Sequence, residues 1–572
     1  MAALPLTSPR LLVSLQRFPF PPLDLPFFPQ PKFPTFLPNQ RLGFLRVVCC
    51  RSMAQSSTAV HVKEKIDLTD KEKKIFGLLV DALQHSQLKT QLRVAGGWVR
   101  DKLLGKECYD IDIAVDDMLG REFCEKVNEY LSYTGEEEHS ISVIQSNPDQ
   151  SKHLETARMR IFDTWIDFAN LRSETYAENS RIPTMKFGTA EEDAYRRDLT
   201  INSLFYNINT DSVEDLTGRG LEDLRYGMIV TPLPPKATFL DDPLRVLRAI
   251  RFGARFGFVL DEELKKAASD AEVKAALADK ISRERIGHEI DLMMSGNHPV
   301  KAMAYICDLH LFWVVFCLPD DSEPAVVDGS DRLCVAYMDA AWKILEALGC
   351  SMLSDDQRRL YLYGALLLPL RKSVYTNRKA KKIPIVNHIF QNSLKLKNKD
   401  AEMVISLHSA SERFICLSLI ASSDDSEVVK TDLEEESMDV PLSSRRRILA
   451  GLLLRQIKDF WRAALLISTL LYPDVDDAEK FLAQHFELDQ RREWFKRVEN
   501  SIMELDLDNV WKVKPLLDGN AIINALQVKQ AGPEVGEWHK KVLKWQLAYP
   551  SGNADECIDW IRQSQAKRAK LE

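Results

Sequence analysis

The sequence predicts a mixed α/β head followed by a long all-α portion, and two patterns carry that reading. Up to about residue 235, short runs with strand-like alternation are interspersed with runs of helical period. Beyond about Pro243, apolar residues recur almost everywhere at three- and four-residue spacing. The 572 residues are 45% hydrophobic and 28% charged, ordinary for a soluble chain that buries large cores, and length alone suggests about four domains. A net charge of -8 excludes a uniformly basic nucleic-acid binder, so any such surface must be a local patch. The ten cysteines form no CxxC and no zinc-type cluster, and read as reduced packing residues. No apolar run is long enough to span a bilayer, so no membrane partner is expected.

Residues 1–57 form a leader unlike the rest. Arg10, Arg17, Lys32, Arg41, Arg46 and Arg51 stand against the single acid Asp24 up to residue 51, and "FPFPPLDLPFFPQPKFPTFLP" is too rich in proline for a helix or a core strand. A basic, acid-poor leader predicts a transit peptide for the mitochondrion or plastid, the alternative being a merely disordered tail. Met53 offers a second translation start, which would give an unimported cytosolic or nuclear form.

The elements then follow in order. "DLTDKEKKIFGLLVDALQ" (67–84) predicts a helix capped at Thr69 or Asp70. "LRVAGG" predicts a short strand ending in a turn, "WVRDKLLG" a short helix, "YDIDIAVD" a strand and "REFCEKVNEYLSYT" a helix. "SISVIQ", "TARMRIF" and "TWIDFANL" read as strands, and "RRDLTINSLFYNI" as a helix running into a strand. Residues 421–445 are polar and acidic and predict a surface loop or disordered insertion.

The chemistry concentrates in residues 94–117. Asp110 and Asp112 are two apart, so on a strand they point the same way, about 6.6 Å apart. Like charges so placed repel unless a cation sits between them, and a pair of Mg2+ ions is what a phosphoryl-transfer site needs. Upstream, Gly96 and Gly97 sit where strand turns into helix. Glycine lets the backbone approach a ligand there, and the N–H groups of the helix start can meet a triphosphate. Arg100 would add a positive fork. Together these features read as a phosphate cradle with metal carboxylates. Either alone would more simply be a turn or a solvated strand.

These residues resemble the head motif of the nucleotidyltransferase superfamily that includes DNA polymerase β. The match is to the class II tRNA nucleotidyltransferases, the CCA-adding enzymes, and the related bacterial poly(A) polymerases. Four further stretches fit the same family in order: "RRDLTINSLFYN" (196–207), "DLTGRGLEDL" (215–224), "DDPLRVLRAIRF" (241–252), with Asp241 where the family has Glu, and "ISRERIGHEI" (281–290). The resemblance implies a polymerase-β-type α/β head over 58–235, a helical neck over 236–300, a helical body over 301–480 and a helical tail over 481–572. It implies Asp110 and Asp112 as the catalytic, metal-binding pair. Asp167 in "WIDF" is either a third carboxylate of that site or an ordinary strand residue. Arg197 and Asp198 would contact the sugar and phosphates of the incoming nucleotide. Asp242 and Arg245, three apart and expected on one helix face, would read the base edge of C or A as a protein template, with Arg248 holding phosphate nearby. Physical chemistry agrees with that last assignment: C and A share an exocyclic amine beside a ring-nitrogen acceptor, which a carboxylate and a guanidinium can match.

The implied function is CTP- and ATP-dependent addition or repair of the 3′-terminal CCA of tRNA, with the acceptor and T-arm side of tRNA as partner and two Mg2+ ions as cofactor. Its rivals are a poly(A) polymerase, an enzyme adding only C or only A, and a non-catalytic RNA-binding protein on the same scaffold. Intact Asp110, Asp112, Arg197, Asp242 and Arg245 speak against the last. Switching between CTP and ATP is placed at a head loop around 135–155. For RNA, Lys379, Lys381 and Lys382 lie in a basic stretch (371–399) that reads either as a phosphate-contacting patch or as a solvated face. Near the end a "GPxxG" turn at Gly532 leads into a helix, as in the tails of many family members.

Overall fold

The computed structural model describes residues 60–144, 155–175, 184–377, 379–422, 442–472, 488–528 and 532–568. The leader with Met53, residues 145–154 of the switching loop, Arg378 and positions 423–441 of the acidic stretch lie outside them. Residues 442–445, expected in that loop, instead open a helix (Leu442–Ile457).

The first helix, α1 (Asp70–His85), starts where Thr69 caps it. The Thr69 hydroxyl accepts from the Glu72 amide and the Glu72 carboxylate accepts from Thr69 N in return. Glu72 is buried and also accepts from Trp98 Nε1 at 3.1 Å and Lys102 Nζ at 2.7 Å. That ties α1 to α2 (Gly97–Leu103) beside the strand β1 (Leu92–Ala95).

Around β1 the sheet is completed by β2 (Ile111–Val115), β3 (Ile141–Ile144), β4 (Thr156–Ile161) and β5 (Thr164–Asn170). A separate ribbon pairs β6 (Arg172–Thr175) with β7 (Thr184–Phe187), and β8 (Phe205–Asn207) and β9 (Ser212–Glu214) return to the main sheet, whose order is β3-β4-β5-β2-β1-β8-β9. Register assigns the two faces. β2 and β5 run parallel with Asp112 beside Asp167; β4 and β5 run antiparallel with Arg158 opposite Asp167 and Arg160 opposite Trp165. Ile111, Ile113, Met159, Ile166 and Phe168 therefore share the other face, where all are buried and where α3 (Gly120–Thr134) packs on β4 and β5. One face is core; the other is open around Asp112 and carries, farther along the strands, a small buried cluster of Ala95, Ala114, Leu171, Ala194 and Phe205.

Of the helix expected to run into a strand over 196–208, the strand forms and the helix does not. After α4 (Ala190–Tyr195) the chain turns, makes one 3-10 turn at Thr200–Asn202 and enters β8. The Asp198 carboxylate accepts from Leu199 N at 2.9 Å and from Asn202 Nδ2 at 3.1 Å, a local bonding that competes with helix. Then come α5 (Gly220–Tyr226), β10 (Met228–Ile229), α6 (Pro235–Asp241) and α7 (Leu244–Phe256). Next are β11 (Val259–Leu260), parallel to β10, α8 (Glu262–Ala268), α9 (Ala271–Lys280) and α10 (Arg283–Met294).

The remainder is helical apart from one hairpin, β12 (Val374–Thr376) and β13 (Lys382–Pro384). A single core runs from Ile66 to Ala548, while Leu517, Ile522, Trp538, Trp545 and Ile561 belong to a second, smaller core built by the last three helices. Pro533 starts the middle one, so the "GPxxG" turn does lead into a helix. Among the described residues no helix is long and apolar enough to cross a membrane.

Two packing details carry predictions. A Cβ on Gly287 of α10 would lie 1.7 Å from the carbonyl oxygen of Leu394, so two main chains touch there. Gly287→Ala is expected to cost about 3 kcal/mol, the upper range for overpacking a close-packed core, since backbone cannot step aside; a urea midpoint measures it. His408 is wholly enclosed, and its Nε2 is 2.7 Å from the Gly364 carbonyl oxygen. A carbonyl only accepts, so Nε2 donates. Burial pushes this imidazole down to about 4, against the Gly364 bond. The unfolded chain binds a proton at about 6.5 and the folded chain does not until about 4. Stability is therefore lost as pH falls through that window, by about 3 kcal/mol at its lower end. Urea midpoints should fall between pH 7 and 5 more steeply for the native chain than for His408→Gln.

Candidate active site

The carboxylates stand on the open face of the sheet. Asp112 lies on β2, and Asp110 precedes that strand by one residue, so continued alternation puts both on one side. Asp112 is exposed on its strand, yet its carboxyl is surrounded closely enough by protein to be desolvated. Burial first, then the charges of Asp110 and Asp167, push its carboxyl up to about 6, against Arg197 and Arg158. The Asp167 carboxyl is likewise raised, by burial first, with Arg158 pulling the other way. Arg158 Nε is 2.7 Å from Asp167 Oδ1, but the approach gives neither atom a hydrogen bond.

Among the described residues no three His, Cys, Asp or Glu side chains converge as a ready-made metal nest. What stands there is a row of acceptor-only oxygens that repel one another, one of them, Asp167 Oδ1, without a hydrogen bond. That donor set suits Mg2+, which takes one or two carboxylates and completes its shell from phosphates and water.

Beside the carboxylates lies an arginine network. Gly96 adopts φ +71°, a conformation other residues resist. A Cβ there would meet Arg197 Nη1 at 3.0 Å, so the glycine also makes room for that guanidinium. Arg197 is held by Asp193 Oδ2 at 2.9 Å and lies over the Phe205 ring at 5.0 Å. Asp193 is buried and also binds Arg196 at 2.5 Å. Burial would raise its carboxyl, but Arg197 and Arg196 outweigh that and hold it low. Sequence reasoning passed over Asp193; an acid three and four residues before a pair of arginines on a helix was the available signal.

Arg100 is buried rather than reaching outward. Nε bonds Asp101 at 2.8 Å, Nη1 bonds Asn202 Oδ1, and the guanidinium sits 4.9 and 4.8 Å from the Phe252 and Phe256 centroids. A Cβ on Gly97 would lie 3.5 Å from its Nη2, so that edge of the fork faces the glycine turn. Asp198 is also inside. Its carboxylate takes Arg248 Nε at 2.7 Å besides Leu199 and Asn202. Burial alone would raise it, yet Arg248 and Asn202 hold it down at about 2. Asp198 is expected against the nucleotide from the sequence; in this structure its carboxylate orients Arg248.

Asp242 is not on the α7 face as expected. It is the extended residue between α6 and α7, where its Oδ1 accepts from Leu244 N at 3.2 Å and its Oδ2 meets Arg285 at 3.3 Å. Pro243 follows it, which explains the break: a residue before proline is driven out of the helical region. Arg245 lies in the first turn and donates to the Arg196 carbonyl at 2.7 Å. Between α7 and α10 opens a cleft of about 410 Å³ lined by Arg248, Arg251, Arg285, His288 and Glu289 among others. Arg251, bonded to Glu289 at 2.7 Å, continues the three-residue ladder from Arg245 and Arg248, and that spacing could have found it. Lys379, Lys381 and Lys382 lie exposed at and beside the turn of the β12–β13 hairpin, far along the chain from this cluster. Asn377 shapes that turn, and Lys382 meets Glu323 at 3.1 Å.

A mixed sheet with paired aspartates on its open face, followed by helices, defines a nucleotidyltransferase of the polymerase-β type. A family model described as the poly A polymerase head domain matches residues 92–230. The mitochondrial CCA tRNA nucleotidyltransferase of Candida glabrata is 35% identical over 536 residues, covering 87% of this chain and 96% of that one. Among solved structures, the Bacillus stearothermophilus CCA-adding enzyme in complex with CTP superposes with a TM-score of 0.57 at 18% identity, covering 88% of this chain and 100% of that one. The Thermotoga maritima CCA-adding enzyme complexed with tRNA gives 0.53 at 18%, covering 87% and 96%. The chain belongs to the CCA tRNA nucleotidyltransferase family and is a template-independent RNA nucleotidyltransferase.

Proposed function

We propose that the chain builds or repairs the 3′-terminal CCA of tRNA from CTP and ATP, selecting each base with its own side chains. The observation that carries this reading is the register that sets Asp112 beside Asp167 on the open face, under the field of Arg197. Asp110 and Asp112 would hold Mg2+, with Asp167 flanking them. Bound there, the metal neutralises phosphate charge and lowers the pKa of the attacking hydroxyl.

The residues of the chain do the positioning. Arg197, fixed by Asp193, draws the triphosphate toward the sheet, and Arg100 stiffens the glycine turn beside it. Asp242 accepts from the exocyclic amine of C or A, and Arg245 donates to the neighbouring ring acceptor. Arg248, aimed by Asp198, holds phosphate. The RNA 3′-hydroxyl oxygen bonds to the α-phosphorus as the bond from phosphorus to the α–β bridging oxygen breaks. Pyrophosphate departs and the hydroxyl proton passes to water. Lys379, Lys381 and Lys382 offer contacts to tRNA phosphates farther along. The acid-poor leader and the mitochondrial relatives support an organellar destination, with an unimported form from Met53.

The test is incorporation on a tRNA transcript ending at the discriminator base, with Mg2+ and CTP, ATP or both. Two C with CTP alone, and one final A and a stop with both, is the expected result. A long A ladder with ATP alone would make the chain a poly(A) polymerase, and no extension would leave an RNA-binding scaffold.

A further inference from the structure

The open face of the sheet continues past the carboxylates onto groups that the assignments above leave unused. Near the turn of the β4–β5 hairpin, Trp165 is 46% exposed. It stands opposite Arg160 and two residues along β5 from Asp167, hence on the same face about 7 Å away. Continuing the β2–β5 register one step beyond Ile111 and Ile166 brings Trp165 level with Asp110. The indole thus borders the carboxylate row.

Two guanidinium groups lie against it, Arg158 at 5.6 Å and Arg160 at 6.0 Å from the ring centroid. Arg158 Nε meets Asp167 Oδ1 at 2.7 Å off the line of a hydrogen bond, and Arg160 meets Asp163 at 3.2 Å in a largely exposed pair, which in water holds weakly. Phe162, at positive φ in the turn, is 45% exposed too. Folding gives no reason for an indole here, since Ile166 and Phe168 on the opposite face supply the core contact and are wholly buried. An exposed aromatic beside two arginines and a row of carboxylates is the informative kind of surface.

We propose that Trp165, flanked by Arg158 and Arg160, receives the unpaired 3′ end of the RNA acceptor, its terminal base stacked on the indole and the adjoining phosphate against the arginines. This rests on the nucleotidyltransferase reading of the same face. Each addition changes the terminal base, so the grip on the acceptor must be indifferent to base identity while the grip on the incoming nucleotide must discriminate. Stacking on an aromatic ring is indifferent, because every base has a π-face, and arginine beside it adds phosphate and cation–π contact. The hydrogen-bonding pair Asp242 and Arg245 discriminates. The two demands are met by two chemistries.

The test is steady-state addition of the first C to a tRNA transcript lacking CCA, by the full chain and its Trp165→Ala, Trp165→Phe and Arg160→Ala variants. Trp165→Ala should raise KM for tRNA about tenfold or more and leave KM for CTP in place, with Trp165→Phe recovering most of the loss. Arg160→Ala should raise KM for tRNA less and flatten its salt dependence; it decides the matter if Trp165→Ala does not fold. An unchanged KM for tRNA in both would overturn the proposal. So would a rise confined to KM for CTP, which would put the indole under the incoming nucleotide. Failure of the nucleotidyltransferase reading would appear separately, as a native chain that extends nothing.

Discussion

Asp112→Ala should fold as the native chain does and lose incorporation of both C and A by roughly a thousandfold or more, the scale on which one charge-stabilising group acts in phosphoryl transfer. The residue is open outward on its strand while Ile111 and Ile113 on either side carry the core, so removing the carboxylate takes no packing away. Relief of the burial and of the repulsion from Asp110 and Asp167 that together push Asp112 up to about 6 should make the variant slightly more stable rather than less. Loss of activity with an unchanged or raised urea midpoint is therefore the signature. A thermal melt run beside the incorporation assay reads both. Full activity in Asp112→Ala or Asp110→Ala would remove the metal assignment.

Asp242→Ala should instead damage selection. With the carboxylate gone, nothing in that position accepts from the amine of C or A, while Arg245 remains anchored to the Arg196 carbonyl. Discrimination against GTP and UTP is expected to drop roughly tenfold to a hundredfold, the worth of one well-placed base contact. Addition of C should slow as well. Competition between CTP and UTP on one transcript measures it, and a variant that still chose C and then A would sink the template assignment. Arg285 loses its partner at the same time, so Arg285→Ala is the control: it frees Asp242 without deleting it and should loosen selection less.

Why some of this was legible in the sequence and some was not follows from range. Strand alternation is local, so "YDIDIAVD" and "TWIDFANL" announced strands with a polar and an apolar face, and the glycines announced a turn. Which strand neighbours which is set by long-range pairing, and only the parallel register of β2 with β5 placed Asp167 beside Asp112. Of the helix expected to run into a strand over 196–208, the strand formed, but the buried Asp198 carboxylate took the Leu199 amide and the Asn202 side chain, a local bonding that competes with helix. That burial also set Asp198 as the brace of Arg248. Arg100 was recognisable as a cation near glycines, but its place between Phe252 and Phe256 depends on α7 packing against α2, some 150 residues away in the chain. Spacing shows which residues share an element; it does not show which way a buried charge will turn.

The contact between Gly287 and the Leu394 carbonyl bears on how firmly the cleft lining is held. Helix α10 carries Arg285 and His288 into the cleft beside α7, and at Gly287 it rests directly on the Leu394 carbonyl, just past the helical turn Ile389–Ser393. Side-chain joints can slip or repack; a joint between two main chains has nothing to give. Arg285 and His288 are thereby seated on a helix that bears on backbone, not on side chains that could repack, as a tool is clamped to its bench.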